Sequence, residues 1–343
     1  KHDMKNLKFF EKVVFFLNSI VAFLLLLSYV LPHVPPKTFA TLSVLSLGVP
    51  FLILLNVLFF VYWLFKVKKQ LILSLFVIAI GYFLFGSFYK FSNSEKVTDS
   101  SLSVMNYNVR LFNLYDWIPE KDIQTKLTNF VKKEQPDVLC IQEFHPHQSV
   151  DLSFFKHKFE KLEGTKTKYG QAIFSQYPII NSGSVNFPNT ANNAIFADIV
   201  RDNDTVRVYN VHFQSLRLNT NAENLTQEEG EKIFNGIGET FKKQQTQAEL
   251  FLKHKSNSPY KMIISGDFNN SAFSYIYNQV KGDLKDTFKE QGNGFGRTYN
   301  FKFFPLRIDF ILADPSFTVD SFKTFDVEYS DHYPIMTRLS FNE

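Results

Sequence analysis

The chain has 343 residues, of which 45 % are apolar and 20 % charged, so it is long enough for two domains and is not a disordered chain. A single cysteine, Cys140, excludes a disulfide-stabilised scaffold and a cysteine-based zinc site. The net charge of +4 is uneven, because residues 1–98 carry ten lysines and three acids, whereas the other 245 residues carry 27 basic and 30 acidic side chains. The larger part therefore lacks the positive charge typical of nucleic-acid-binding domains.

Three uncharged apolar runs predict three transmembrane helices within a membrane region at residues 1–91. The runs cover residues 13–31, 39–65 and 71–88. A helix over the nineteen residues of the first run would span about 28 Å, which is close to the hydrocarbon thickness of a bilayer. Pro50 in the second run should kink that helix or shift its start. A buried helical hairpin in a soluble protein, or a cleaved signal peptide for the first run alone, are the alternatives.

The lysines of this region predict its orientation. They cluster before the first run and between the second and third runs, at Lys1, Lys5, Lys8, Lys12, Lys66, Lys68 and Lys69. The positive-inside rule places both clusters in the cytoplasm. Three crossings then put the rest of the chain in the periplasm of a bacterial cell, on a multi-pass protein of the inner membrane. The bilayer is the expected partner of these helices, and a membrane-protein partner stays open.

Residues 92–101 are polar and rich in serine, which is typical of a linker. Residues 102–343 alternate short apolar runs, read as strands, with few helical patterns. The predicted strands cover residues 102–109, 137–142, 171–175, 182–187, 194–200, 205–213, 261–265, 307–312, 318–325 and 335–341. Helical spacing occurs at residues 119–133 and 241–255. Many strands with few helices predict an α/β domain in which two packed sheets are flanked by helices.

Polar residues recur where these predicted strands end. They are Asn108, Glu143, His212, Asp267, Asn269, Asp331 and His332. An eighth, Asp309, lies inside an apolar strand between Ile308 and Phe310, and a carboxylate buried there needs a partner. An ion pair with Arg307 is the plain structural alternative. Strand ends on a rigid scaffold commonly present catalytic groups.

These residue types suit metal-assisted attack on phosphorus. Mg²⁺ prefers oxygen ligands, so a carboxylate such as Glu143 suits it, and Mn²⁺ could replace it. A metal neutralises an anionic phosphodiester, and His332 held by a carboxylate could serve as the base. Each residue alone has a plainer explanation: Glu143 as a solvated loop residue and His212 as a packed histidine. The order and kind of all the clusters together are more specific than any one.

The part of the chain from residue 102 onwards resembles the endonuclease/exonuclease/phosphatase superfamily. The matching stretches are MNYNV, DVLCIQE, YGQAIFSQYPI, VYNVHF, IISGDFN, RIDFIL and SDHYPI, in the family's order. This superfamily includes pancreatic-type deoxyribonucleases, abasic-site endonucleases, neutral sphingomyelinases and inositol-phosphate 5-phosphatases. The resemblance implies a four-layer α/β sandwich over residues 102–343.

The resemblance also implies a role for each residue of the site. Glu143 resembles the principal Mg²⁺ ligand, with Asn108 beside it and Asp331 as a further carboxylate of the metal site. Asp267 and Asn269 resemble the pair that orients the attacking water and the phosphate.

The resemblance gives the histidines their roles as well. His212 resembles the histidine that binds the phosphate or protonates the leaving group. His332 resembles the general base or the phosphate-binding histidine, with Asp309 fixing its tautomer. Acid and base could be exchanged between Asp267 and His332.

One departure from the family pattern bears on the substrate. Abasic-site nucleases carry an acidic residue two positions after the first Asn, where this chain has Arg110. The first hypothesis is therefore a membrane-anchored phosphodiesterase of the sphingomyelinase type, acting on a lipid head group or a small phosphoester. The second hypothesis is an extracytoplasmic nuclease. The third is a degenerate domain that only binds a partner.

Overall fold

The chain forms two compact units in a computed structural model that describes residues 7–86, 89–91, 101–216, 227–301 and 304–341. The first unit consists of Lys1–Phe88, Thr220–Lys242 and Phe273–Asn278, and the second of Tyr89–Asn219, Lys243–Ala272 and Gln279–Glu343. Two later segments thus belong to the unit that contains the apolar runs. Residues 92–100 of the predicted linker lie outside the described residues.

The apolar runs of the first unit fold into helices. These are α1 (Phe9–Ser28), α2 (Ala40–Val44), α3 (Val49–Phe65) and α4 (Leu71–Phe85). Pro50 lies in the first turn of α3, where its missing N–H has no partner within the helix. The proline therefore shifts the start of this helix, and a 3-10 turn at Leu45–Gly48 separates α2 from α3.

Two of the three predicted spans are long and apolar enough to cross a membrane, among the described residues. They are Phe9–His33 and Ala40–Phe65, and only 28 % of the most apolar stretch of each is buried. The third run forms a shorter helix than expected: α4 has fifteen residues and ends at Phe85, because Gly86 leaves the helical region with φ 76° and ψ −170°. Fifteen residues cover about 22 Å, which is short of the roughly 30 Å of a bilayer core.

A buried hydrogen-bond network joins the three longer helices of this unit. The Nε1 of Trp63 on α3 donates to the Oδ1 of Asn18 on α1 at 3.0 Å. The Nδ2 of Asn18 donates to the Oγ of Ser74 on α4 at 2.7 Å. All three side chains are buried, so the network ties α1, α3 and α4 together inside an apolar bundle.

Two six-stranded sheets form the second unit. The strands are β1 (Leu102–Asn108), β2 (Val138–Phe144), β3 (His157–Glu163), β4 (Tyr169–Ser175), β5 (Ile179–Asn186), β6 (Asn193–Arg201), β7 (Asp204–His212), β8 (Lys261–Asp267), β9 (Lys285–Asp286), β10 (Asp309–Ala313), β11 (Phe317–Thr324) and β12 (Ile335–Phe341). The first sheet has the order β11-β12-β1-β2-β4-β3, and the second β5-β6-β7-β8-β10-β9. Both are mixed, because β1 and β2, and likewise β7 and β8, run parallel while their other neighbours run antiparallel.

The two sheets pack face to face, as the sequence predicted. Val104 and Cys140 of the first sheet share one buried core with Val208 and Ile263 of the second. Helices cover the outer faces. Leu127 and Val131 of α5 (Ile123–Glu134) pack on the first sheet, and the ring centre of Phe251 on α6 (Gln227–Lys255) lies 5.1 Å from that of Tyr209 on the second. Helices α7 (Tyr275–Lys281) and α8 (Thr287–Gln291) complete the set.

Several elements differ from the expectation. The edge strand β3 was not predicted, because its sequence HKFEKLE is too polar to stand out as a strand. Helix α6 is 29 residues long and begins well before the predicted stretch. The alternative ion pair between Arg307 and Asp309 is wrong, since Arg307 Nη1 donates to both carboxylate oxygens of Asp286 at 3.0 and 2.8 Å.

Candidate active site

Three neighbouring strands of the second sheet bring His212, Asp267 and Asp309 to one edge. In the ladder His212 pairs with Asp267, and Asp267 pairs with Asp309. The parallel strands β7 and β8 both end there, and the antiparallel β10 begins there, so the register alone assembles the three residues. Gly266 precedes Asp267 where a Cβ would lie 2.0 Å from the carbonyl oxygen of Val211, so no larger residue fits between these strands.

The first sheet contributes Asn108 and Glu143. Asn108 ends β1 and pairs with Gln142 on β2. Glu143 follows in a bulge of β2 with a left-handed φ of 51°, and its carboxylate is 30 % exposed. A bulge redirects the next side chain, so Glu143 leaves the interior while Gln142 stays buried.

Asn108 lies between the two sheets' carboxylates. Its Nδ2 donates to Asp267 Oδ2 at 3.1 Å and to Glu143 Oε1 at 3.5 Å. Its Oδ1 accepts the backbone N–H of Arg110 at 3.1 Å. The amide therefore presents its nitrogen to the carboxylates, while the oxygen that a cation would need is already hydrogen-bonded.

His332 and Asp309 form a buried dyad. His332 Nδ1 lies 2.9 Å from Asp309 Oδ2, and His332 Nε2 lies 3.7 Å from Asp267 Oδ2. The Oγ of Thr298 accepts the backbone N–H of Asp309 at 3.0 Å, which helps to fix the start of β10. Because Nδ1 is committed to Asp309, Nε2 is the atom of His332 that faces the rest of the site.

Asn269 and Asp331 have separate surroundings. Asn269 has a left-handed φ of 49°, and both its backbone N–H and its Nδ2 donate to Asp267, at 2.8 and 3.0 Å. Asp331 instead pairs with Arg110, whose Nη1 lies 3.2 Å from Asp331 Oδ2. The structure thus places Asn108 and Asn269 around the carboxylate of Asp267 and leaves Asp331 in an ion pair with Arg110.

Among the residues that the structure describes, none forms a hydrogen bond with the buried Nε2 of His212. It lies 3.6 Å from Asp267 Oδ2 and 4.0 Å from Glu143 Oε1. A buried polar atom without a partner is costly, and at a site of this kind it indicates a position where a ligand completes the geometry.

Burial and neighbouring charges shift the pKa values of the site's groups in different directions. Burial and, to a lesser extent, the nearby His332 together lower the pKa of His212 to about 3. Burial acts the same way on His332, but the Asp309 and Asp267 carboxylates outweigh it and raise the pKa of His332 to about 10. Burial raises the pKa of Asp267 to about 7 and also raises that of Glu143. At neutral pH the two histidines therefore differ in charge.

The donor set fits a divalent cation. Among the described residues, Asp267, Asp309 and His332 offer ligand atoms that all lie within 4.8 Å of one another. Glu143 adds a further carboxylate, partly exposed and 4.0 Å from the Nε2 of His212. Oxygen-rich sets of this kind suit hard cations. The assignment of Asn108, Glu143 and Asp331 as the metal residues stays a prediction.

A buried polar network under the site was missed by the sequence reasoning. Asn106 Oδ1 accepts from Gln142 Nε2 at 2.8 Å and from Ser265 Oγ at 2.9 Å, and its Nδ2 donates to Asp309 Oδ1 at 3.3 Å. Asn210 Oδ1 accepts from Gln142 Nε2 at 2.6 Å. The network therefore links both sheets to the dyad.

A pattern in the sequence could have revealed this network. Asn106, Asn210 and Ser265 each precede a residue of the site by two positions. Residues two apart on a strand share a face, so each of these side chains points to the side from which the site residue projects.

Comparison with known proteins agrees with this architecture. Residues 105–332 match the Endonuclease/Exonuclease/phosphatase family, and residues 11–88 match a domain of unknown function. No curated protein is significantly similar to the chain in sequence.

Solved structures share the fold. An endonuclease/exonuclease/phosphatase from Beutenbergia cavernae has a TM-score of 0.55 and 18 % identity, covering 71 % of this chain and 72 % of its own. A mannosyl-6-phosphatase from Bacteroides thetaiotaomicron has a TM-score of 0.52 and 18 % identity, covering 70 % of this chain and all of its own. D. rerio TDP2 complexed with a single-strand DNA product has a TM-score of 0.52 and 20 % identity, covering 71 % of this chain and all of its own.

Proposed function

The chain belongs to the endonuclease/exonuclease/phosphatase family, and we propose that it is a metal-dependent phosphodiesterase that its apolar helices anchor in a membrane. The proposed substrate is a lipid head group or a small phosphoester. The observation that carries the proposal is the convergence of the His332–Asp309 dyad, Asp267 and the unpartnered His212 nitrogen at one sheet edge.

The side chains divide the chemistry by their hydrogen bonds. Asp267 is held by Asn108 and Asn269, which orients its carboxylate to accept the proton of an attacking water. His332, oriented through Nδ1 by Asp309, presents Nε2 to a phosphate oxygen or to the leaving group. The neutral His212 lies beside both and contacts the phosphate.

The proposed metal site is built around Glu143, with Asn108 and Asp331 nearby, and Mg²⁺ or Mn²⁺ is the expected ion. When bound, such an ion neutralises phosphate charge and stabilises the leaving oxygen. For Asn108 to be a ligand its amide would have to turn over, which would break the hydrogen bond from Arg110.

The apolar helices support anchoring in a bilayer. Many large side chains of α4 are exposed, among them Phe76 at 61 % and Phe83 at 83 %, and an apolar surface of this kind requires cover. We propose that α4 crosses the membrane despite its length, with local thinning of the bilayer. The lysine distribution then places the catalytic unit in the periplasm of a bacterial cell. With only two crossings it would stay in the cytoplasm.

One assay tests the activity. The full chain in detergent is incubated with Mg²⁺, a bacterial phospholipid extract and supercoiled plasmid, beside the His332→Ala protein. Head-group release that requires His332 supports the lipid phosphodiesterase, whereas nicking that requires His332 makes the protein a nuclease. If neither substrate changes, the lipid and nuclease proposals fail, and a small phosphoester substrate or a binding-only domain remains. Omitting the metal, or changing Glu143 to Gln, should abolish or weaken the release.

A second experiment tests the topology. Fusion of alkaline phosphatase or of green fluorescent protein to the C-terminus reports the side of the membrane, because the first is active only in the periplasm and the second fluoresces only in the cytoplasm. An active phosphatase fusion supports three crossings, and a fluorescent fusion would show that α4 does not cross.

A further inference from the structure

The turn that follows β1 has an unusual backbone. Arg110, Leu111, Phe112 and Asn113 all take left-handed φ values between 43° and 60°. Residues other than glycine pay free energy in this region, so four in succession persist only where their surroundings hold them.

Local contacts hold this turn rigid. Phe112 is fully buried and packs edge-on against Phe144 at 5.7 Å. The side chain of Asn113 donates to the carbonyl oxygen of Ile118 and accepts its backbone N–H, both at 2.9 Å. Two hydrogen bonds thus close the segment from Asn113 to Ile118.

The turn fixes Arg110 between a charge and an aromatic ring. Its Nη1 lies 3.2 Å from Asp331 Oδ2, and its Cζ lies 4.5 Å from the centre of the Trp117 ring. Asp331 is the immediate neighbour of His332 in the chain. Trp117 therefore contacts Arg110, which pairs with Asp331, the residue before His332 of the proposed catalytic dyad.

These aromatic side chains contribute little to the core. Trp117 is 41 % exposed, and Tyr115, which meets it edge-on at 5.1 Å, is 59 % exposed. The ion pair is also partly exposed, at 34 % for Arg110 and 25 % for Asp331, and such pairs add little to stability. A strained turn that displays an aromatic pair beside a catalytic site is better explained by ligand binding than by stability.

The chemistry of this surface selects a class of ligand. The Arg110 guanidinium lies over one face of the Trp117 indole, and the negative opposite face attracts the weakly positive C–H groups on the face of a saturated ring. The guanidinium of Arg110 has more N–H donors than its ion pair with Asp331 uses, and these donors suit the hydroxyl groups of a ligand. A nucleic-acid strand is less well matched, because residues 99–343 carry more acidic than basic side chains.

We infer that Arg110, Tyr115 and Trp117 form a recognition rim for the organic group esterified to the phosphate, and that this group carries a hydroxylated ring such as a sugar. The inference rests on the proposed phosphodiesterase function and names the part of the substrate that this function leaves open. Arg110 thereby acquires a role at the position where abasic-site nucleases have an acid.

The test compares three substrates with one phosphodiester linkage each. They are the glycerol phosphodiester of glucose, the glycerol phosphodiester of ethanolamine, and the dinucleotide thymidylyl-thymidine. Trp117→Ala should lower kcat/KM for the glucose ester about tenfold and leave the ethanolamine ester unchanged, since aromatic pairing of this kind contributes about one power of ten. Trp117→Tyr should restore most of the loss, and Ile180→Ala, an exposed residue on β5, serves as the control.

Two kinetic results would overturn the inference. An equal loss on all three substrates would mean that Trp117 only supports the fold. A loss confined to the dinucleotide would mean that the rim stacks on bases and recognises nucleic acid.

A binding measurement separates this inference from the proposed function. In the His332→Ala protein, glucose 6-phosphate should quench a tryptophan emission that Trp117→Phe removes, and glycerol 3-phosphate should not. The other tryptophan, Trp63, is buried in α3 and provides a constant background. Quenching without hydrolysis by the wild-type chain would contradict the proposed phosphodiesterase activity and support the recognition rim. Hydrolysis without quenching would support the activity and contradict the rim.

Discussion

The helical unit and the sandwich both bury polar side chains, but their networks end differently. Among the helices, Asn18 joins Trp63 to Ser74, and the chain of hydrogen bonds ends within the bundle. In the sandwich, Asn106 hydrogen-bonds to Asp309, and Asp309 hydrogen-bonds to His332, whose Nε2 faces the site.

The difference shows that the end point of a buried network indicates its role. A network that closes on itself fixes the packing of the elements that it joins. A network that ends on an imidazole orients a reacting group, so its disruption should change the rate as well as the stability. Five substitutions test this distinction.

The largest effect is expected at the end of the sandwich network. His332→Ala and Asp267→Asn should each lower turnover by ~10²–10⁴-fold, because each removes a group that moves a proton. The measurement is kcat on the phosphodiester that the wild-type chain hydrolyses. His157→Ala, on the edge strand β3, should keep the native rate. A near-native rate in either site variant would remove that residue from the proposed mechanism.

Removing the carboxylate of the dyad should have a smaller effect on rate and a clear effect on pH dependence. Asp309→Asn should lower turnover about 100-fold, since partners of this kind typically contribute 10–100-fold. The variant should also lower the pKa of His332, because burial lowers that pKa and Asp309 is the first of the charges that offset it.

The sign of the pH effect follows from this pKa. In the metal-free protein the pKa of His332 rises from 6.5 to about 10, so its stabilising effect is complete below pH 6.5 and is lost as the pH rises through 10. The thermal midpoint of the wild-type chain in detergent should therefore decline over this alkaline range. In Asp309→Asn the decline should be smaller and should end at a lower pH, because the folded-state pKa of His332 falls while the unfolded value is unchanged, and an unchanged curve would show that Asp309 does not hold the charge of His332.

One step further from the site, Asn106→Ala should lower turnover about tenfold. It should also cost about 1–3 kcal/mol of unfolding free energy, because Ser265 and Gln142 lose their shared acceptor. Asn210→Ala is the matched control, since Asn210 binds Gln142 and two backbone carbonyls but not Asp309. If both variants slow the reaction equally, Asn106 has only a structural role.

The smallest effect on rate is expected in the helices. Asn18→Ala removes the acceptor of Trp63 and the donor to Ser74, and it should cost about 1 kcal/mol of stability in detergent. Turnover should stay at the wild-type level, because this network ends within the bundle. A loss of turnover without unfolding would show that the two regions are coupled.

Much of the architecture followed from local patterns in the sequence. Uncharged runs predicted the apolar helices, and strand patterns predicted the paired sheets, because burial imposes hydrophobic periodicity on each element. The eight polar residues at or near strand ends were named from the same patterns and from the family motifs. The edge strand β3 and the end of α4 were not predicted, because neither depends on apolar periodicity. Strand β3 is half-exposed, and α4 ends where the backbone dihedrals of Gly86 leave the helical region.

The amino-acid sequence was sufficient to indicate two regions, an α/β fold, the family and a set of candidate residues for its chemistry. The pairing of these residues depended on the tertiary structure. Register placed Asp309 opposite Asp267, the packing of the sheets brought Asn106 to Asp309, and Asp286 took Arg307 away from Asp309. The physical reason is that periodicity reports which face of a strand is buried, whereas a hydrogen-bond partner is selected by distances between atoms that are far apart in the chain.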